Sequence, residues 1–307
     1  MFGIIKKRLL PGLVAIGVRS DGVAMVRVES SADRGPRLAA RDFRSFTPGH
    51  GLKDVLASMA HDFDLGRSRC TTVLSDADYK LLLTEAPDVA ADEVADAVRW
   101  RIKDLIDFHI NDATLEVFDL PADTGIATRD VYVVAARNQA LQERVHLFES
   151  AGIHLEIIDV PDLAQRNLAS LLPENPAGVA LLTFHATGGL LTLTRQDNLY
   201  LSRAMNMGSD AMLRAYEASS FFDQIVLDVQ RSLDYYESHF RQAPIRSLVV
   251  APLTPPIPGL MEYLTSNFTM QVRSLDLNES LPSNDPPPVE WQGSHLLTIG
   301  AALRAEG

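Results

Sequence analysis

Three short runs hold residues whose types and spacing could do chemistry. The first is "AIGVRSDG" (residues 15–22), which sets Gly17, Ser20 and Asp21 around a turn. Asp21-Gly22 is a tight hairpin signal, because both residues tolerate positive φ. The second is "TFHATGG" (183–189), which places Thr183, His185 and Thr187 beside Gly188 and Gly189. Backbone N–H groups in such a turn can cradle an anion, although a plain hairpin turn accounts for both glycines. His185, at a strand end, reads either as a ligand or as a packed or solvated histidine. The third is "VAPLTPPIPG" (250–259), a strand-to-helix turn running from Ala251 and Pro252 to Gly259. A glycine-rich turn here would offer N–H donors to a phosphate. Proline has no N–H to offer.

Other chemistries find no support. The sequence has no nucleophile elbow, no phosphate-binding P-loop and no C-x-x-C pair. His146 and His154 lack metal-ligand spacing with cysteine or with each other. Cys70 is the one cysteine. It heads the apolar run "CTTVLS" and reads as a small buried residue. A single cysteine allows no internal disulfide, which fits a reducing compartment. The 307 residues carry 40 acidic and 28 basic side chains, a formal charge of −12. That balance excludes a nucleic-acid surface and suits a basic partner segment.

These turns must be positioned by elements, and hydrophobic periodicity supplies them. Strands are expected at 13–18, 22–29 and 37–46, a helix at 53–63 and a strand at 71–75. Residues 76–152 read as a separate α+β module: strand, helix 91–108, two strands and helix 139–152. A strand at 154–161 and a helix at 162–172 follow. After the Pro/Gly-rich break 173–178 come strands at 178–184, 189–195 and 199–205. The long helix 219–240 carries a stripe of Phe222, Ile225, Val226, Val229, Leu233, Tyr236 and Phe240. Then come strand 247–251, helix 258–268, strand 270–277, a polar proline-rich surface loop at 281–293 and a last helix at 294–306. Each half reads as strand, strand, strand, helix, strand, helix, a structural repeat without sequence identity. The apolar start is broken by Pro11, Gly12 and Gly17, and reads as a strand rather than a secretory leader. The first eight residues read as a flexible start, or as a weak membrane contact. No stretch approaches the roughly 18–20 apolar residues of a spanning helix.

The runs "MFGIIKK", "VRWRIKDLIDFHINDATLEVFDLP", "YVVAARNQ", "LDVQRSLDYYESHF" and "LLTIGAALR" occur in this order along nearly the whole chain. Together they resemble the PilM-type assembly proteins of type IV pili, nearest to the MSHA-pilus branch (MshI). The resemblance implies an α/β, actin-like fold of two βββαβα lobes with a small α+β insert in the first. It places the first lobe at 1–75 plus 153–175, the insert at 76–152 and the second lobe at 176–307. It also implies a cytoplasmic platform, peripheral to the inner membrane, that binds the cytoplasmic tail of a PilN-like single-span inner-membrane protein in a groove beside the insert. Self-association and pilus-platform contacts belong to the same expectation, as does the absence of a nucleic-acid partner.

Many proteins of this type bind ATP and Mg²⁺ between the lobes, and the resemblance locates the expected site. Ala15 stands where the first metal-orienting Asp would be, with Gly17 retained and Ser20 and Asp21 at the turn. Thr183 replaces the second Asp and His185 a glycine, ahead of Thr187, Gly188 and Gly189. Ala251 and Pro252 replace the glycines of the adenosine turn, which ends at Gly259. The expectation is a degenerate site, no cofactor, no metal and no catalysis. The alternative is an ATP-binding, nucleotide-gated switch in which Asp21 or Asp162 substitutes for the lost carboxylates. A third reading, the cytoplasmic part of a type II secretion GspL-like protein, would require a membrane span and periplasmic domain after the last helix.

On the insert helix, Val94, Val98, Ile102, Leu105 and Ile106 form one apolar face. Trp100 points elsewhere, among Asp96, Lys103 and Asp104. It reads either as packed beneath a neighbouring subdomain or as lining a peptide groove, and its acidic neighbours suit a basic tail.

Overall fold

The computed structural model describes residues 9–31, 33–90, 93–121, 129–215 and 219–304. Strand β1 (Leu13–Val18) is apolar throughout because it lies inside a five-stranded sheet with both faces covered. It hairpins into β2 (Gly22–Ser31), which pairs with β3 (Gly35–Ser45); α1 (Leu52–Asp62) then leads to β4 (Arg69–Val73), parallel to β1. The outermost strand on that side is β8 (Leu155–Asp159), so the order is β3-β2-β1-β4-β8. The second sheet repeats this plan. Strands β9 (Val179–Phe184), β10 (Gly189–Arg195), β11 (Asn198–Met205), β12 (Ser247–Val250) and β13 (Gln271–Ser274) are ordered β11-β10-β9-β12-β13.

Between the two sheets lie α4 (Pro161–Ala169) and α9 (Leu296–Ala302). Ala15 and Val26 of the first sheet and Leu181 and Val249 of the second share one core with Ala164, Leu168 and Ile299 of this helix pair. The helices approach closely at Gly300, where any Cβ would collide with the Ala164 carbonyl. Asn167 Nδ2 donates to the Gly300 carbonyl at 2.9 Å. On the other face of the first sheet, Val14, Ile16 and Met25 pack with Leu56 and Met59 of α1 and Phe148 of α3 (Asn138–Ser150). The second sheet's other face carries α6 (Ser219–Phe240) and α7 (Leu260–Asn267). Six of the seven stripe residues of α6 are buried; Val226 is partly covered.

The insert is a three-stranded sheet, β5 (Tyr79–Glu85), β7 (Asp130–Arg137) and β6 (Ala113–Asp119), in the order β5-β7-β6. Helix α2 (Val94–Ile102) packs Val94, Val98 and Ile102 against Val131, Val133 and Ala135. The opposite face of the sheet meets β11, where the Tyr132 hydroxyl donates to the Tyr200 carbonyl at 2.8 Å.

Several elements differ from expectation. Helix α2 stops at Ile102, not at residue 108, and its expected first two residues lie outside the described ones. Ile106 and Phe108 still reach the insert core through a turn, but Leu105 is left exposed. The expected last helix, 294–306, is shorter: α9 begins at Leu296, after a break at His295, and ends at Ala302, while a separate helix, α8 (Val289–Ser294), lies in the expected loop 281–293. The proline-rich loop is not merely a surface loop. It seals the edge of β3 through Leu38 N to Pro282 O at 2.9 Å and buries Leu281. A short helix, α5 (Ser209–Arg214), was not expected. The expected flexible start, residues 1–8, lies outside the described residues. Among the described residues no helix is long and apolar enough to cross a membrane.

Candidate functional site

The first hairpin is closed by the chain's own C-terminal segment. Ala15 is buried in the apolar layer beneath α4 and α9, so a carboxylate at that position would be stripped of water. Gly17 lies on the same side of β1, and a Cβ there would collide with the Thr298 hydroxyl of α9. Ser20 and Asp21 are exposed at the turn. Asp21 forms a two-pronged pair with Arg19, at 2.8 and 3.1 Å, and this hydrogen bonding holds its carboxyl below the usual range. The third Arg19 nitrogen donates to the Ser294 carbonyl.

The second hairpin and the proline loop are joined to the rest of the chain in the same manner. Thr183 Oγ1 donates to Gln165 Oε1 of α4 at 2.8 Å, and Gln165 Nε2 donates to the Leu181 carbonyl at 2.6 Å. His185 Nε2 lies 3.2 Å from Asp76 Oδ2, a polar contact that ties the second hairpin to the β4–β5 connection. The turn carbonyls of His185 and Ala186 accept from Ser209 N and Asp210 N, at 2.9 and 3.1 Å, and so cap α5. Thr187 is exposed, with its hydroxyl 3.4 Å from His185 Nδ1. Gly188 and Gly189 are needed for space: a Cβ on either would crowd the rings of His185 or Phe184. Ala251 N donates to the Leu182 carbonyl at 2.8 Å, which sets the proline loop beside Thr183. Gly293 of α8 presses on the Pro252 carbonyl, and Gly259 (φ +79°) ends the loop at the start of α7. Residues 293–298 therefore touch both the first hairpin and the proline loop.

The four insert residues expected at a partner surface lie together on α2 and the turn after it. Trp100 is 71% exposed, with Lys103 Nζ 5.9 Å from its ring centre; Asp96 and Asp104 are exposed too. Trp100 is not packed beneath a neighbouring subdomain.

A groove of about 670 Å³ opens elsewhere, between the outermost insert strand β6 and the outermost strand β8 of the first sheet. Glu116 and Phe118 face it from β6, Ile158 and Asp159 from β8, and Arg166 and Arg304 from the helix pair's ends. None of Trp100, Asp96, Lys103 or Asp104 lines it. Asp159 is 2% exposed; its Oδ1 accepts from Val160 N at 2.9 Å and from Arg304 Nη1 at 3.1 Å. Burial pushes its carboxyl above the usual range. Nearby Asp162 is also buried and pushed up, and accepts from the Tyr79 and Ser202 hydroxyls. Among the described residues no group of three or more His, Cys, Asp or Glu side chains is placed to hold a metal ion.

No protein-family model matches the sequence, and no curated protein matches it. Solved structures do. A PilM–PilN type IV pilus biogenesis complex matches with a TM-score of 0.70 at 19% identity, covering 95% of this chain and 98% of that one. The chain has the actin-like fold. The cytoplasmic domain of EpsL, an inner-membrane component of the Vibrio cholerae type II secretion system, matches at TM-score 0.53 and 11% identity over 96% of both chains. A Bacteroides thetaiotaomicron protein with an actin-like ATPase fold and unknown function matches at 0.51 and 10% identity, over 97% of this chain and 99% of that one.

In this actin-like frame the three sequence-selected turns belong to the strand ends of the two lobes. The residues that fill them were missed by sequence reasoning: Arg19, Asp76, Gln165, Gly293, Ser294 and Thr298. No local motif marks them, because Arg19 and Ser294 are separated by 275 positions. The groove residues Glu116 and Asp159 were missed as well. Asp159 carried a signal, an acidic residue closing an otherwise apolar strand, "LEIID".

Proposed function

We propose that this chain is a scaffold of a type IV pilus inner-membrane assembly platform that holds the cytoplasmic tail of a PilN-like single-span membrane protein. The observation that carries the reading is the groove between β6 and β8, two strands each with a free edge, in a chain whose fold matches a PilM–PilN complex end to end. An extended tail can add main-chain hydrogen bonds to such edges. The scaffold is cytoplasmic and reaches the inner membrane through its partner. It serves an MSHA-like pilus, as its sequence runs suggest. Its lobes are residues 1–75 with 153–175, and 176–307, with the insert at 76–152. The cytoplasmic domain of EpsL, an inner-membrane component of a type II secretion system, matches the fold less closely than the PilM–PilN complex does and also supports a role at the inner membrane.

The same reading makes the old nucleotide cleft degenerate and the protein a pseudo-ATPase that needs no cofactor. Thr298 and Arg19 fill the first turn, the His185–Asp76 pair spans the second, and Gly293 takes the close approach to the proline loop. The nucleotide-switch alternative needs Asp21 or Asp162 as a replacement metal group. Asp21 is committed to Arg19, and Asp162 is buried with two hydroxyl donors.

A cross-linking experiment tests the partner site. A photoactivatable reagent attached after Glu116→Cys captures a synthetic PilN-like tail, whereas the same reagent after Trp100→Cys does not. Capture from position 100 alone would move the site to the outer face of α2.

A further inference from the structure

The outer face of α2 carries apolar surface that the fold does not use. Trp100 is 71% exposed, more than any other large apolar side chain among the described residues, and Leu105, in the turn after the helix, is 59% exposed. Large apolar groups left open together on a folded surface mark a contact site. Glu93, Asp96 and Trp100 follow at i, i+3 and i+7, so they share one stripe of the helix. Asp104 is exposed just past the helix end. None of these three carboxylates has a hydrogen bond or ion pair among the described residues. The arginines of the same stretch are turned to the insert's own backbone: Arg99 Nη1 donates to the Ile110 carbonyl at 2.8 Å and Arg101 Nη1 to the Glu85 carbonyl at 2.7 Å. Lys103 is the exception, with its Nζ 5.9 Å from the Trp100 ring centre. The ring face already draws a cation.

We propose that this face docks a basic helical segment of another protein, with an apolar side chain seated against Trp100 and Leu105 and lysines or arginines meeting Asp96 and Asp104 on either side. The charge pattern selects this occupant. A second copy of this chain would bring the same carboxylates face to face, and an anionic bilayer would be repelled by them. A stripe at i, i+3 and i+7 forms a ridge that fits between the side-chain rows of a facing helix. The tryptophan supplies the central anchor, and the acids supply orientation and a faster encounter. The face shares no lining residue with the β6–β8 groove, and it stands whether or not a tail occupies that groove.

The test titrates the full chain with an amphipathic leucine–lysine helix peptide and with its leucine–glutamate counterpart. Binding is read by calorimetry, and by tryptophan emission in Trp291→Phe, which leaves Trp100 as the single tryptophan. The lysine peptide should bind saturably and move the Trp100 emission to the blue; the glutamate peptide should do neither. Trp100→Ala should weaken the lysine peptide about tenfold or more. Asp96→Asn and Asp104→Asn should each weaken it about two- to fivefold at low salt, and that difference should fade as NaCl rises from about 50 to about 500 mM. All three side chains are exposed, so these variants fold, and calorimetry decides even if Trp291→Phe melts early. Lysine-peptide affinity that Trp100→Ala leaves unchanged would mean attraction to the acidic chain at large and would overturn the proposal, as would equal affinity for both peptides or no binding of either. Binding of the chain to phosphatidylglycerol vesicles, or a dimer in light scattering, lost in either case with Trp100→Ala, would hand the face to a membrane or to a second copy and overturn it too.

Discussion

At the residue scale, burial decides what each reactive group can do. Cys70 lies at 0% exposure, with its thiol 3.6 Å from the Ser68 carbonyl, and burial pushes that thiol up to about 12. The folded protein should therefore resist iodoacetamide at pH 8 and react fully only in denaturant; fast labelling of the native state would contradict this environment. Glu174 shows the opposite sense. Arg273 binds it at 2.6 and 2.9 Å, and that hydrogen bonding holds its carboxyl below the usual range. A depressed folded-state pKa gives stability that is present above the ordinary value and lost as pH falls through the lowered one. Glu174→Gln should lower Tm at pH 7 by about 2–6 °C, and the gap should close in acid. Asp162 runs the other way: burial raises its pKa, so its ionisation opposes folding as pH rises past the ordinary carboxylate value. These properties were only partly legible in the sequence. Apolar neighbours marked Cys70 as buried, but nothing near Glu174 marks Arg273, 99 positions away, as its partner.

At the element scale, periodicity located strands and helices well where burial is one-sided and continuous, as in β1, β10 and α6. It overran where apolar spacing continued past a helix end. Leu105 and Ile106 keep the i, i+3, i+4 pattern, yet the backbone turns after Ile102 and Leu105 donates its N–H to the Ile102 carbonyl at 2.9 Å. Helix α8 was hidden for a different reason: it directly follows the three prolines 286–288, and that stretch reads as loop. The sequence reads Trp100 as packed beneath a neighbouring subdomain or as lining a peptide groove, and the structure leaves it exposed on the outer side of α2. Trp100→Ala should leave Tm within about 1 °C, because an exposed side chain contributes little to the fold. The α4–α9 contact is different. Gly300 faces the Ala164 carbonyl directly, so Gly300→Ala forces the two helices apart. Chemical denaturation should show a loss of about 1–3 kcal/mol; an unchanged midpoint would mean the helices slide without penalty.

At the scale of the whole molecule, the doubled strand order is what the two sequence halves had already indicated. Strand counts, turn chemistry and the separate character of the insert are local properties, so they survive in the sequence. The relation of the two lobes does not. It depends on contacts such as Arg19 with Ser294 and His185 with Asp76, which join distant segments through polar groups of ordinary type. The groove also arises only in three dimensions, where the edge of one sheet meets the edge of another. The proposed division of labour follows from this arrangement: a cleft between the lobes occupied by the chain's own side chains, and a recognition groove beside the insert. A paired calorimetric titration of the purified full chain tests that division most directly, with MgATP in one arm and the PilN-like tail in the other. The account predicts saturable tail binding and no heat from MgATP up to millimolar concentration. Micromolar MgATP binding, with no tail binding in the absence of nucleotide, would contradict it and restore a working nucleotide switch.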